Sequence, residues 1–410
     1  MARSRCSPIV SVDRLVLAVA MSNQRLHRVG AGHEVGRAQL VRLTAAKAVL
    51  NTALRWMPFF LPTLAGAFGT TTAKLTTVLG VGETAGLSTL LLGRQLDGGR
   101  ERKIMAGSLG MVAVSSLGAM VGNFWIFAVS YVVLIIGVSA FTVSGHAFLS
   151  RRVPFERRAL TIGLFETSWA FALLIGAPSI AVLINLFGWR APFFVLAVLL
   201  AIMAFVVGTD TDTSVPLDDA TAAVVRQPLT PDAWILIGAS AAIAMTGLTT
   251  IVIAGTWLNE ALGVSTGGIG LVAMAFGAAE FTASSSSAAI ADRAGPIQST
   301  RIALALAVVG LLVMTQAGSS LLIGAVGLLV FFLGFEFSIV TSFSIVSEAM
   351  PQARGRALAA NSALGTAARG IGIVMSGLLY QAYGIKGPVA ISVSAAVVAL
   401  ALLTAGIRRS

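Results

Sequence analysis

Six ionisable side chains stand inside otherwise apolar stretches of the sequence, and they are the residues best placed to do chemistry. An ionised group at the centre of a bilayer costs roughly 2.5–3.5 kcal/mol on insertion scales, so six of them facing lipid would be costly. We therefore expect them to face a shared crevice or one another, which is typical of a transport pathway. The six are Arg55, Glu83, Glu166, Glu280, Glu336 and Arg369.

The elements that carry these charges are long apolar runs. Of the 410 residues, 56% are hydrophobic and 11% are charged, and the mean hydropathy is +0.89. Soluble domains carry roughly 25% charged residues, so this chain has too little polar surface to coat a soluble particle. A helix of about 20 apolar residues crosses a bilayer core and satisfies its own backbone there. The sequence predicts an all-α membrane protein with twelve transmembrane helices.

The predicted spans fall into two six-helix bundles. Residues 44–208 form the first bundle and 232–406 the second, joined by the polar, Asp- and Pro-containing linker 209–231. Residues 1–43 are basic and are expected to be a disordered tail. The apolar stretch within them, Leu15–Met21, is too short to span a bilayer; the alternatives are a signal-peptide core and a start codon at its last residue.

The basic residues indicate which side of the membrane each loop occupies. Cytoplasmic loops carry an excess of Lys and Arg, and this assigns both termini and the linker to the cytoplasmic side of a cell membrane. The net charge of +11 is then an orientation signal, and no nucleic-acid partner is needed to explain it. The residues that cluster on this side include Arg94, Arg100, Arg102, Lys103, Arg151, Arg152, Arg157, Arg158, Arg293, Arg301, Arg354 and Arg356.

Two loop motifs recur half a chain apart. The run Pro154–Leu160 resembles Pro351–Leu358, and the loop from Gly93 to Arg100 resembles the loop from Ala288 to Gly295. Both pairs keep nearly the same spacing and lie on the same predicted side. Parallel repeats of six helices are a transporter architecture with the substrate site near the midplane between the repeats.

The loop motif, Gly93-x-x-x-Asp97-Gly98-Gly99-Arg100 with its second copy around Asp292-Arg293, resembles that of the major facilitator superfamily. The opening of the first span, from Arg55 to Ala65, looks like that of bacterial drug and sugar efflux members. The resemblance covers residues 44–406. Proton-coupled drug antiporters of this family usually have an Arg in the fourth helix and a Gly-Pro-x-x-Gly-Gly signature at the end of the fifth. Here the matching stretch of the fourth span, Val132–Ser139, holds no Arg, and the fifth span reads Gly176-Ala177-Pro178.

The resemblance implies where the six charges lie. In that fold the first, fourth, seventh and tenth helices line the cavity, and none of the six falls on an outer helix. The second and eleventh helices meet at the interface, so Glu83 is expected to pair with Arg369. The fifth and eighth also meet, so Glu166 and Glu280 are expected to face each other and share a proton. A structural ion pair or a carboxylate at a helix end is the alternative.

Polar side chains at helical spacing extend the predicted cavity. The loop motifs are expected to form a cytoplasmic gate, since small residues let helices approach closely and a carboxylate at a helix end binds N–H groups or Arg; a static anchor is the alternative. The cavity residues are Asn51, Ser139, Thr142, Thr246, Thr249 and Thr250, with His146 a weaker candidate, and the gate residues are Gly93, Asp97, Arg100, Asp292 and Arg293.

These features predict a secondary transporter that moves a small organic solute by alternating access. No phosphate-binding Gly-x-x-x-x-Gly-Lys-Ser/Thr loop is present, so ATP drive is not expected. Proton coupling is expected, with efflux slightly favoured over the alternative of an uptake permease. A membrane sensor or scaffold that no longer transports is a further alternative. With one cysteine and scattered histidines, the sequence predicts neither an enzyme nor a metal site nor a cofactor. We expect the protein to be a monomer.

Overall fold

The computed structural model describes residues 35–92, 95–96, 99–209, 228–350 and 353–407. Within these ranges the chain is helical and contains no strand, and its helices are grouped here as α1 to α12 in chain order. In the first half, α1 comprises Arg37–Arg55, a 3₁₀ turn at Met57–Phe60 and Leu61–Phe68; α2 comprises Thr72–Glu83 and a 3₁₀ segment at Thr84–Leu92; α3 is Glu101–Ala119; α4 is Phe124–Arg152; α5 comprises Phe155–Phe171, a π turn at Ala172–Gly176 and Ala177–Phe187; and α6 is Arg190–Thr209.

The second half has the same number of helices in its described part, and none of them is broken. They are α7, Pro231–Glu260; α8, Thr266–Ala294; α9, Pro296–Thr315; α10, Leu321–Ala349; α11, Arg354–Tyr383; and α12, Lys386–Ile407.

Ten helices of the described part are long and apolar enough to cross a membrane. The two that fall short are α1 and α3. In α1 the Pro58-containing 3₁₀ turn divides the helix, and its first segment carries Arg37, Arg42, Lys47 and Arg55. In α3 the first turn is charged, from Glu101 to Lys103. The chain is an all-α membrane protein with the two-bundle architecture that the sequence predicts.

Two of the three departures from α-helical geometry in the described helices have a local cause, a proline. Pro58 cannot donate a backbone hydrogen bond, and α1 tightens to 3₁₀ geometry around it. In α5, Pro178 likewise lacks an N–H, and the π turn precedes it: the N–H of Ala177 donates to the carbonyl of Ala172. The chain at Gly176 also packs directly against the Thr52 side chain. A π turn of this kind is common at functional sites.

The boundary of the tail needs a correction. α1 begins at Arg37, inside the segment predicted as a tail to residue 43, and Leu43 is already buried. Hydropathy marks only the apolar part of a helix, whereas α1 continues beyond it through polar turns. Residues 1–34 lie outside the described part, as does most of the predicted linker, 210–227; α6 ends at Thr209 and α7 begins at Pro231.

The halves contact each other mainly along three helix pairs, α1 with α7, α2 with α11 and α5 with α8, and α8 also meets the 3₁₀ turn of α1. Small residues bring the backbones together. A Cβ on Gly80 would lie 2.5 Å from the carbonyl oxygen of Gly370, and one on Gly255 would meet the carbonyl of Phe59. Close approach through glycine is how membrane helices gain packing energy without a hydrophobic drive.

These contacts cluster toward one membrane face. α7 packs on the 3₁₀ turn and last segment of α1, α11 packs mainly on Thr72–Glu83, and α8 packs mainly on the π turn and last segment of α5. All of these segments lie away from the face that carries the start of α1, the start of α3 and the end of α4. We call that face the basic face, after Arg37, Arg100 and Arg151, and the other one the opposite face. The halves are therefore joined mainly toward the opposite face.

Candidate functional site

The site begins with a ladder of contacts between α1 and α5. Residues one turn apart along a helix share a face, and three successive turns of α1 each place a polar side chain against α5. The first rung is an ion pair, the second a hydrogen bond between side chains and the third a hydrogen bond to a backbone carbonyl. The rungs are Lys47 with Glu166, Asn51 with Ser168 at 3.3 Å, and Arg55 with the Trp169 carbonyl at 2.6 Å.

At the rung nearest the basic face, a lysine and a histidine converge on one carboxylate oxygen. Lys47 Nζ contacts Oε1 of Glu166, and His146 Nε2 lies 2.5 Å from the same oxygen. Lys47 is also 4.3 Å from the centre of the Phe165 ring, a favourable cation–π distance. The side chain of Lys47 is 1% exposed, whereas those of Glu166 and His146 are 40% and 41% exposed. The cluster is thus open on one side.

Two turns farther along α1, Arg55 joins the halves. Its Nη1 lies 2.8 Å from Oε2 of Glu280 on α8, and its guanidinium lies 4.4 Å from the centre of the Trp169 ring on α5. The side chains of Arg55 and Glu280 are 11% and 5% exposed. Glu336 on α10 is buried and interacts electrostatically with both of them. Arg55 therefore interacts electrostatically with two buried carboxyl groups.

An aromatic layer covers this trio on the side of the opposite face. Phe59, Phe276 and Phe332 come from α1, α8 and α10, each about one turn from a member of the trio, and all three are buried. The rings of Phe276 and Phe332 stack with centroids 4.0 Å apart, and Phe59 meets Phe276 edge-on at 5.7 Å. Because the layer is packed from both halves, it separates the charged trio from the opposite face.

A second ion pair between the halves lies at the contact of α2 with α11. Arg369 Nη2 is 3.1 Å from Oε2 of Glu83, and its Nε is 3.3 Å from the same oxygen. Arg369 also donates to Thr366 Oγ1 at 3.2 Å. The structure brings Glu83 and Arg369 together, as expected from the resemblance.

The expectation for Glu166 and Glu280 is wrong. Glu166 binds Lys47 and His146 within the first half, and Glu280 binds Arg55. The reason is depth: the backbone of Leu174 on α5 packs on Gly277 of α8, and from that contact Glu280 is about one turn away and Glu166 more than two. The two carboxylates lie at different heights and each has its own cation.

The polar stripe on α7 also differs from the expectation. Thr250 shares a 2.9 Å hydrogen bond with Ser392 of α12, and the Thr249 carbonyl accepts one of 2.6 Å from Ser376 of α11. Thr246 is buried and donates to its own helix. Thr249 and Thr250 therefore face neighbouring helices of their own half. Helical spacing alone does not tell whether a hydroxyl lines a cavity or bonds to a helix, because Ser and Thr hydroxyls readily form hydrogen bonds within and between helices.

The remaining predicted cavity residues behave differently from one another. Asn51 is buried in the ladder described above. Ser139 and Thr142 are half-buried on α4: Ser139 lies against Gly86 of α2, and Thr142 donates to the Val138 carbonyl.

The predicted gate falls largely outside the described part of the chain. Gly93 and Asp97 lie there, as does the side chain of Asp292, while Arg100 and Arg293 are exposed. At the same face the structure places a contact that the sequence did not suggest. Arg151 Nη1 at the end of α4 lies 2.5 Å from Oε1 of Glu101 at the start of α3, and Glu101 is buried.

The residues predicted from the sequence did not include Lys47 and gave His146 only as a weaker candidate, and the structure places both on Glu166. Lys47 stands inside the first predicted span, 45–67, so its cost at membrane depth was readable from the sequence. His146 follows Ser139 and Thr142 on one face of α4. What the sequence could not reveal is that both reach the same carboxylate, because they come from α1 and α4 and the carboxylate from α5.

Comparisons with known proteins agree on one family. The family model described as Major Facilitator Superfamily matches residues 46–372. A relative from Bacillus subtilis (strain 168), the "Uncharacterized MFS-type transporter YwfA", is 24% identical over 298 residues, which cover 70% of this chain and 71% of the relative.

Solved structures of transporters share the fold. A bacterial homologue of the human lysosomal transporter Spinster, in an inward-facing and occupied conformation, superposes with a TM-score of 0.74 at 15% identity, covering 90% of this chain and 96% of that one. A D-xylose–proton symporter superposes with a TM-score of 0.67 at 18% identity, covering 87% and 95%.

The family match, the relative and the shared fold identify a multi-pass membrane transporter and not an enzyme, in which buried charges of two helical halves meet beneath an aromatic layer. The chain belongs to the Major Facilitator Superfamily.

Proposed function

We propose that the protein is a secondary active transporter that exports a small organic solute from the cytoplasm by alternating access, in exchange for protons. The observation that carries the proposal is the ion pair of Arg55 with Glu280, which ties the two halves together beside a second buried carboxyl group, Glu336. A static scaffold would gain little from charges at this depth, because each is costly to bury.

Charge balance supports proton coupling. Two carboxylates and one guanidinium leave one negative charge uncompensated in a buried site, and two nearby carboxylates disfavour joint ionisation. The trio is neutral when one carboxyl carries a proton. When the halves move apart, Arg55 separates from Glu280, and taking up or releasing a proton offsets the exposed charge. The trio is thus the proposed place where proton binding and the movement of the halves depend on each other.

The uneven exposure of the site supports alternating access. Near the basic face, Glu166 and His146 are partly exposed, whereas the trio and the aromatic layer are buried behind them. This arrangement fits a cavity that opens toward the basic face and is closed toward the opposite one. With the basic face in the cytoplasm, as the excess of Arg and Lys in its loops indicates, the conformation is inward-facing. We propose that one monomer is the working unit, since the cavity is formed between the halves of one chain.

Uptake is the second candidate function. The likeness to a D-xylose–proton symporter favours it, because that protein has the same fold and couples a solute to protons in the same direction. The fold alone is compatible with both directions, so the two candidates differ in the sign of one measurement.

The test uses the full chain reconstituted in proteoliposomes with an entrapped pH indicator. A pH gradient is imposed, and a panel of small organic cations, anions and neutral compounds is screened for flux together with proton movement. The proposal expects at least one compound to move against the proton flow, with loss of this coupling in Glu280→Gln and retention in the control Glu348→Gln, a change of an exposed carboxylate on α10. Movement of the solute with the protons would establish uptake instead, and no coupled flux with any compound would contradict both.

A further inference from the structure

The cluster of Lys47, Glu166 and His146 uses only one of its two carboxylate oxygens. The side chains of Lys47 and His146 both contact Oε1 of Glu166. Among the described residues, none forms a hydrogen bond or ion pair with Oε2. A carboxylate has acceptor capacity on both oxygens. Because Glu166 is partly exposed, it can accept a further hydrogen bond from a molecule in the cavity.

The three side chains differ in what they offer to that molecule. Lys47 is buried behind Glu166, between the carboxylate and the ring of Phe165, so a solute cannot reach its ammonium group without displacing Glu166. The partly exposed side chains of the cluster are those of Glu166 and His146. A site that presents a carboxylate first selects for a hydrogen-bond donor and, above all, for a positive charge.

Protonation of His146 changes what this site offers. The charged groups packed against the imidazole in the described part of the chain are Glu166 from α5 and, through the same oxygen, Lys47 from α1; Arg151, later on its own helix, binds Glu101. With His146 protonated, Glu166 is held by two cations and has little negative potential left. With His146 neutral, one cation remains, and the cluster can accept a second positive charge.

We propose that this cluster binds a positively charged amino group of the transported solute on Glu166, and that the solute and a proton on His146 compete for that carboxylate. This inference rests on the proposed function. The exchange is balanced: the ammonium N–H of the solute donates to Glu166, the imidazolium of His146 releases its proton to water in the cavity, and the net charge of the cluster is unchanged.

The Asn51–Ser168 rung and the Arg55 rung extend from this cluster toward the trio. Lys47 and Arg55 are two turns apart on α1, about 12 Å along the axis. An amine on Glu166 therefore lies between the basic face and the proton-coupling trio, on the side to which the cavity opens, so a solute that enters from the basic face meets the cluster first.

The test is equilibrium binding to the purified full chain in detergent, without any gradient. The probes are three naphthalenes of one shape, 2-naphthylmethylamine, 2-naphthylmethanol and 2-naphthoate. Binding is measured as the ligand-dependent rise in the midpoint of thermal unfolding, since a ligand that binds only the folded state stabilises it in proportion to occupancy. The variants are Glu166→Gln and His146→Gln, with Glu348→Gln as the control for loss of one exposed carboxylate.

The proposal expects the amine to bind about tenfold more tightly than the alcohol, because a charge-assisted hydrogen bond is roughly twice as strong as a neutral one. In Glu166→Gln this preference disappears, and in Glu348→Gln it remains. Mild acidification weakens amine binding to the parent protein but not to His146→Gln. The unfolding midpoint without ligand shows whether each variant is folded, and His146→Gln keeps the test usable if Glu166→Gln is not.

Equal or tighter binding of the alcohol or the acid, absence of saturable amine binding, or an amine preference that survives in Glu166→Gln would overturn the inference. These outcomes are distinct from failure of the proposed function. Coupled flux of a neutral or acidic solute in proteoliposomes would leave transport standing and remove only the amine site.

Discussion

Arg55 Nη1 lies 2.8 Å from Glu280 Oε2, and this buried ion pair connects the first and second halves of the transporter. The same guanidinium donates to the carbonyl of Trp169 and lies over its indole ring. One side chain of α1 therefore holds α5 of its own half and α8 of the other half at once. Any motion that separates the halves at this level has to exchange these contacts for others.

Removal of one partner of this pair should cost more than removal of both. A buried charge left without its partner costs about 3–5 kcal/mol, whereas replacement of both partners by neutral groups is often nearly neutral. We expect Arg55→Gln to lower the free energy of unfolding by an amount of that order and Glu280→Gln, which leaves Arg55 beside Glu336, by less. The double variant should recover part of the loss. Thermal unfolding in detergent measures all three, and additive losses in the double variant would show that the two side chains are not coupled.

The pair of Glu83 with Arg369 should help to keep the opposite face closed. Its members are more exposed than Arg55 and Glu280, with Arg369 33% exposed, so we assign it only about 1 kcal/mol, or about a fivefold shift in the population of closed molecules. Ala65 lines a cavity of about 420 Å³ on the opposite face, together with Glu260 and Tyr380 of the second half. In a background without Cys6, a cysteine placed at Ala65 should react faster with a thiol reagent when Arg369→Gln is present.

The control for this experiment is Lys74→Gln, an exposed change on the same face. It should leave the labelling rate unchanged. An unchanged rate in Arg369→Gln would show that the pair does not hold this face closed.

Closure of the opposite face should also depend on the glycine contact of α2 with α11. A side chain at Gly80 meets the carbonyl of Gly370 and the side chain of Val374, so Gly80→Val forces the helices apart. We expect solute flux to fall by at least about tenfold, since a loss of 1.4 kcal/mol in the closed state already has this effect. Gly107→Val is a matched control, because a Cβ at Gly107 on α3 meets nothing within 4 Å. Normal flux in Gly80→Val would contradict the assignment.

The aromatic layer should act as a barrier. Phe276 stacks on Phe332 and meets Phe59, so Phe276→Ala opens a cavity above the charged trio and costs about 3–5 kcal/mol of stability. We expect proton leak through proteoliposomes in the absence of solute. Phe205→Ala, at an exposed position of α6, should not leak. Absence of a proton leak in Phe276→Ala would show that the barrier lies elsewhere.

Much of the architecture was readable from the sequence, because a bilayer imposes strong constraints on a chain. Apolar runs predicted the helices, and the repeat of loop motifs predicted two similar halves. The cost of burying charge pointed to Arg55 and Glu280 as members of an internal site, and the resemblance placed Glu83 beside Arg369. Each of these predictions used either a constraint on a single helix or a helix contact implied by the resemblance to the family.

The errors came from relations between helices that no pattern along one chain encodes. The depth at which α5 meets α8 decides whether Glu166 reaches Glu280, and a contact between Leu174 and Gly277 sets that depth. The threonines of α7 have the spacing expected of residues that line a cavity, but Thr250 forms a hydrogen bond with Ser392 of α12. Lys47 stands inside the first predicted span, but no pattern in the sequence places it beside Glu166 of α5.

The most direct test of the account compares net transport with exchange in Glu280→Gln. The account holds that proton binding in the trio is linked to the movement of the halves, while the solute binds elsewhere in the cavity. In proteoliposomes, Glu280→Gln should therefore still exchange labelled for unlabelled solute across the membrane, but should no longer accumulate solute in response to a pH gradient. Accumulation at the parent rate in this variant would contradict the central claim.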